Sequence, residues 1–440
     1  MRLSAIAVRA SAAASKAAVA TALTVVVAAS AAVGSAAPAS AAVGSAAPAS
    51  AAVGSAAPAS AAADGFLWGV SSSGFQSEGS PPDSNWTRYA AAGRTREPVG
   101  TSVDFRHRYR EDIAAAADLG VDVFRFSVEW SRIQPTPAGW DETELRYYDD
   151  VVAAVRGHGM IPMITLDHWV YPGWIADRGG WRDPATIEAW LANAERVVAR
   201  YAGQGVLWVT INEPAIYVQK ELAFGGIDAG DIPRMFDALV VAHRAIYRRI
   251  HTLDPGARVT SNTAYIPGVQ TGLDTLFVDR VRDTLDFLGL DYYYGATPDN
   301  PSAIHALTDD FASIVPHPEG MYEALMHYTH RYPGLPLYVV ENGMPTADGA
   351  PRADGWTRAR HLHEHVDRVR RAAADGAPVF GYNYWSLTDN YEWGSYTPRF
   401  GLYTVDVRTD PTLTRRPTDG VAAYRAVTGE PWPVPVPVPR

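Results

Sequence analysis

Apolar residues in this chain gather into short runs. The runs are separated by longer stretches in which apolar positions recur with a helical period. Runs at 66–72, 121–128, 160–167, 206–212, 258–265, 285–293, 337–341 and 379–387 are rich in β-branched and aromatic residues and too short for helices. They read as strands buried on both faces. Amphipathic segments such as 110–118, 144–156, 184–201 and 233–251 lie between most of them and read as helices. Gly120, Gly159, Gly205, Gly256 and Gly376 stand just before strands, where the turn out of a helix favours glycine. Eight strand–helix repeats predict a single α/β domain over 64–429, a (β/α)8 TIM barrel. A doubly wound open sheet would place a Gly-rich phosphate loop after its first strand, and Ser71-Ser72-Ser73-Gly74 does not fit that fingerprint.

The pattern fails at both ends. Arg2, Arg9 and Lys16 precede a mostly apolar stretch at 17–32, and A-x-A sites follow at Ala39-Ser40-Ala41 and Ala49-Ser50-Ala51. Residues 1–41 therefore read as a signal peptide, and the expectation is a secreted, extracellular bacterial protein. A start codon placed upstream of a cytosolic protein is the alternative. The decapeptide A-A-V-G-S-A-A-P-A-S repeats in tandem from Ala31 to Ser60. It is too small and flexible to build a core, so 42–63 read as a linker. The Pro-rich segment 430–440 is expected to be an extended, solvated tail.

Composition narrows the chemistry. The chain has 440 residues, a net charge of -10 and no cysteine. The acidic balance speaks against a nucleic-acid partner. Disulfides and thiolate chemistry are excluded, and so is a lipoprotein anchor, which needs a cysteine. No membrane association is expected, and the oligomeric state is left open. No His-Glu-x-x-His motif, Asp-rich calcium loop or G-x-S-x-G elbow occurs. The expectation is therefore no metal, no cofactor and no serine nucleophile. The one histidine cluster, His361-Leu362-His363-Glu364-His365, lies in an Arg-rich helical stretch and reads as a solvated outer face.

The strand ends carry the chemistry. Glu213 closes the run L-W-V-T-I-N-E-P and Glu341 closes P-L-Y-V-V-E-N-G. A carboxylate at the end of a buried strand is costly without a function or a partner. Two of them at the C-terminal mouth of one barrel form the carboxyl pair that cleavage of a glycosidic bond requires. Around them fall Gln76 and Glu78, Arg125, Glu129-Trp130, Asp167-His168-Trp169, Asn212, Asp291-Tyr292-Tyr293, Asn342, Trp385 and Asp389-Asn390-Tyr391-Glu392-Trp393. Seven of the eight strand ends thus present polar or aromatic groups. Amides and carboxylates bind sugar hydroxyls, and indoles stack on the C–H face of a sugar ring.

Six blocks, in order, resemble glycoside hydrolase family 1, the β-glucosidase and β-galactosidase family. They are F-L-W-G-V-S-S-S-G-F-Q-S-E-G, F-R-F-S-V-E-W-S-R-I, T-L-D-H-W, T-I-N-E-P, V-V-E-N-G and W-S-L-T-D-N-Y-E-W. The resemblance runs from about Phe66 to Asp406. It implies a retaining β-glycosidase acting on the terminal non-reducing residue of a small β-glycoside or oligosaccharide, with Glu213 as acid/base and Glu341 as nucleophile. Arg125 and Tyr293 match the residues that hold the nucleophile, and Asn212 the amide that contacts the 2-hydroxyl. Gln76, His168, Glu392 and Trp393 match hydroxyl ligands, and Trp385 a stacking platform. A transglycosidase with the same residues, or a non-catalytic sugar-binding barrel, is the alternative. The presence of both glutamates argues against the last. Three departures stand out: Asp291 replaces the family's usual Asn, the segment 265–285 is short, and so is the loop after Trp393. Glu392-Trp393 matches the branch acting on non-phosphorylated sugars.

Overall fold

The computed structural model describes residues 65–294, 300–302, 305 and 310–436. The segments read as signal peptide and linker lie outside the described residues. Eight parallel strands form the sheet: β1 (Leu67–Ser71), β2 (Val123–Ser127), β3 (Ile161–Asp167), β4 (Leu207–Ile211), β5 in two pieces (Arg258–Thr260 and Thr263–Ala264), β6 (Leu288–Asp291), β7 (Leu337–Glu341) and β8 (Val379–Trp385). The order runs from the first piece of β5 through β4, β3, β2, β1, β8, β7 and β6 to the second piece of β5. Its two edges are thus halves of one strand, separated by Ser261 and Asn262 alone. The first half pairs with β4 and the second with β6, so the sheet closes on itself as a (β/α)8 barrel.

The apolar alternation along each strand builds two cores. Leu67, Val123, Met163, Leu207, Phe287, Tyr338 and Phe380 fill the barrel's interior near its N-terminal end. The outward residues pack against the helices in one continuous cluster that includes Phe124, Trp208, Leu290 and Tyr382. The expected helices form over Phe105–Ala117, Glu142–Gly157, Ala185–Tyr201 and Ile232–Leu253. Among the described residues no helix is long and apolar enough to cross a membrane.

Two expectations fail. His361 and His365 sit on the core-facing stripe of the helix Arg358–Ala374, buried and stacked with ring centroids 3.8 Å apart; of the three histidines only His363 faces solvent. Residues at i and i+4 share one helix face, and here that face is the inner one. Burial pushes His365 down to about 3 and holds His361 well below the ordinary value, so both rings are neutral. The Pro-rich tail is not simply solvated either. Trp432 is buried, stacks on Phe66 at 3.6 Å and meets Trp68 edge-on at 5.9 Å. Val436 packs against the barrel's inner cluster. An indole carries a large apolar surface, and the aromatic residues at the start of β1 take it out of water.

Replacing Trp432 by alanine is therefore expected to cost about 3 kcal/mol of stability, as for other buried Trp truncations. A urea midpoint unchanged in Trp432→Ala would show the tail to be dispensable.

Candidate active site

The site lies at the C-terminal ends of the strands. At its floor is Arg125 of β2, with no exposed surface. Its Nε donates to Thr165 Oγ1 (2.8 Å), its Nη1 to Glu341 Oε1 (2.5 Å) and its Nη2 to Asn212 Oδ1 (2.7 Å). Nη2 also lies 3.3 Å from His168 Nδ1. One guanidinium thus joins the ends of β2, β3, β4 and β7. A planar fork with fixed donors is suited to this, and a lysine is not.

Glu341 closes β7. Its Oε2 accepts from Tyr293 at 2.7 Å. With Arg125 on the other oxygen, both oxygens are acceptors, the bonding pattern of an ionised carboxylate. Gly343, two residues on, is required by close approach: a Cβ there would lie 1.8 Å from the carbonyl oxygen of Trp385.

Glu213 stands between β4 and the helix Pro214–Phe224 with φ 40° and ψ 67°, left-handed and unusual for a glutamate. The following proline disfavours a helical residue there. Trp169 (φ 70°) and Trp393 (φ 45°) have left-handed backbones beside it. Such strained residues cluster where side chains must be aimed. Burial first, and then the nearby Glu341, push Glu213 up to about 8. One carboxyl oxygen each from Glu213, Asp291 and Glu341 lies within 4.8 Å of the other two.

The remaining predicted residues form a wall. Gln76 Nε2 donates to Asn390 Oδ1 and to the Tyr391 carbonyl, both at 3.0 Å, and lies 3.4 Å from Glu392 Oε2. Trp385 Nε1 donates to Glu392 Oε1 at 3.2 Å. The His168 ring is nearly parallel to Trp385 and to Trp393, with centroids 6.0 and 5.6 Å away. Burial and the charge of Arg125 keep His168 neutral. Desolvation also pushes Glu392 up. Asn212 Oδ1 accepts from both Arg125 and Asn262, which turns its amide nitrogen toward His168.

All ten candidate residues are therefore brought together. Several other polar strand ends are not part of the site. Glu78 is bound by Arg132 and Tyr148, Asp389 accepts from Gly401, Thr404 and Val405, and Asn342 bridges Tyr292 and Tyr382. They hold the scaffold. Sequence reasoning missed Asn262, which occupies the break in β5 and donates to Asn212 and Asp291. The signal was present: Asn262 is the polar group at the one strand end left blank. Asp291, a strand-end residue that departs from the family's usual Asn, proves to be the third carboxyl of the site.

The model described as glycosyl hydrolase family 1 matches residues 60–264 and 273–430. A bifunctional β-D-glucosidase/β-D-fucosidase of Bifidobacterium breve is 30% identical over 431 residues, covering 78% of this chain and 93% of its own. A crystal structure of a β-glycosidase superposes with a TM-score of 0.70 at 28% identity, covering 86% of this chain and 99% of its own. A β-glucosidase from Thermotoga maritima in complex with deoxynojirimycin gives a TM-score of 0.70 at 25% identity, covering 83% and 97%.

The raised carboxyls set the pH dependence of stability. Glu213 holds its proton to about 8 in the fold, against an ordinary value of 4.5, and Glu392 is raised too. Between about pH 7 and about pH 8.5 the folded state binds protons that the unfolded state has lost, so stability falls as pH rises. The buried histidines do not oppose this, since free histidine is largely neutral above about 6.5. The melting temperature should decline across this window, and Glu213→Gln with Glu392→Gln should reduce the slope. An undiminished slope in the double variant would locate the titrating groups elsewhere.

Proposed function

The chain belongs to glycosyl hydrolase family 1, and from that premise we propose that it is a retaining β-glycosidase that removes the terminal non-reducing residue of a small β-glycoside. The observation that supports this most is the unequal treatment of two close carboxyls. Glu341 receives Arg125 and Tyr293, while Glu213, pushed up to about 8, keeps a proton. One group is suited to attack and the other to donate.

In the first half of the reaction an oxygen of Glu341 attacks the anomeric carbon and forms a glycosyl ester. Glu213 protonates the departing glycosidic oxygen, so the alcohol leaves neutral. The ester removes the negative charge of Glu341, and with it the repulsion that helps keep Glu213 protonated. Glu213, now a carboxylate, takes a proton from water as the water attacks the same carbon from the leaving-group side. Two inversions give net retention. The face of Trp385 fits the C–H face of a sugar ring, and Gln76, His168, Glu392 and the Asn212 amide fit its hydroxyls. The signal-like N-terminus supports action outside the cell.

Glu341→Gly is expected to abolish hydrolysis while the protein still melts cooperatively. Azide should restore turnover and yield a glycosyl azide of inverted configuration, because the vacated space admits an external nucleophile. Substantial hydrolysis by Glu341→Gly without added anion would rule Glu341 out as nucleophile.

A plain hexose should be preferred over its 6-phosphate. A phosphate dianion would have to shed its water beside the half-buried Glu392, which supplies no positive charge to replace it, and the chain's only lysines are Lys16 and Lys220. The kcat/KM of a nitrophenyl glucoside should exceed that of its 6-phosphate by about ten-fold or more, a difference of about 1.4 kcal/mol. The reverse order would overturn the role given to Glu392.

A further inference from the structure

Asp291 closes β6, is buried, and pairs across the sheet with Glu341 of β7. The groups around it come from four other strands and a helix. Glu341 faces it from β7, Arg125 from β2, Glu213 and Asn212 from the end of β4, and Asn262 from the break in β5; Tyr293 follows it on its own segment. Lys220, on the helix after β4, acts on Glu213 from further off. Three carboxyls therefore surround one guanidinium. The Arg125 donors described above go to Glu341, Asn212 and Thr165, and none to Asp291. Asn262 donates to Asp291 Oδ2, while the buried Oδ1 has no donor at all.

A buried carboxylate oxygen without a donor is costly, and the cost disappears if that oxygen carries a proton and becomes a donor. An acceptor must then lie within reach. The oxygens of Glu341 are taken by Arg125 and Tyr293. The remaining carboxyl of the three is Glu213.

We propose that Asp291 and Glu213 share a proton through a carboxyl–carboxyl hydrogen bond, making Asp291 the positioning residue for the proton that Glu213 delivers to the leaving group. This rests on the reading of Glu213 as the acid/base. A pair of close carboxyls loses its protons in two steps that belong to the pair, and the last proton is held to higher pH than a lone carboxyl would hold it. Burial and the charges of Glu341 and Glu213 raise Asp291 well above an ordinary aspartate, in keeping with the pair. The consequence is an acid that keeps its proton further into the alkaline range.

The test is the pH profile of kcat/KM on a substrate whose leaving group needs a proton, such as an alkyl β-glucoside. It is measured for the unmodified enzyme, Asp291→Asn and Asp291→Ser. Both substitutions remove the second carboxyl, and the alkaline limb should move to lower pH by about one unit or more. A lower rate at every pH with an unmoved limb would mean that Asp291 only supports the site, and would overturn the pairing. Should neither variant fold, infrared difference spectra of Glu213→Ala against the unmodified enzyme read the protonated carboxyls directly. Loss of one band with a shift of a second supports the pair, and loss of one band with nothing else moved overturns it. Glu213→Gln separates the two levels of the argument. If it hydrolyses the alkyl glucoside at the unmodified rate, the acid/base assignment itself falls; if it is inactive and the limb of Asp291→Asn is unmoved, only the pairing falls.

Discussion

Arg125 is the interaction on which the site depends. A guanidinium in the middle of a barrel is tolerable only if its donors are satisfied, and they are satisfied by the ends of separate strands. The same bonds that hold the charge also fix the relative positions of Glu341, Asn212 and His168. The barrel in turn supplies the rigidity: β2 is paired in register on both sides, with β1 and with β3. The chemistry and the fold are joined at one buried cation, and an arginine replaced there would leave a carboxylate and an amide stranded in a dry interior.

The carboxyls divide according to what they receive. Glu341 has two donors, Glu213 has burial and a negative neighbour, and Asp291 has one amide and an empty oxygen. Identical functional groups a few ångströms apart thereby meet different surroundings. Such a separation is how a site can carry an acid and a nucleophile at one pH.

The barrel was legible because strand runs and helical periods alternate along the chain, and a parallel sheet of buried strands has few other ways to close. The site was legible because its residues sit at strand ends, where a polar group after an apolar run is conspicuous. Asn262 escaped because β5 breaks at it, and a run that is interrupted hides where its end lies. The burial of His361 and His365 was not legible since an Arg-rich helix reads as outward-facing, yet its moderate spacing of Leu362, Val366 and Val369 marks the inner stripe on which they also fall. Trp432 escaped for a different reason. Its partner Phe66 lies at the other end of the domain, and no local pattern reports so distant a contact.

That contact has an architectural consequence. Phe66 enters the barrel at the N-terminal end of β1, and Trp432 brings the end of the domain back to the same place. Both ends of the domain therefore depart from the closed base, opposite the mouth that holds Glu213 and Glu341. Any tether attached at either side, to a surface or to another domain, would hold the molecule by its base and leave the mouth directed outward, toward arriving sugar.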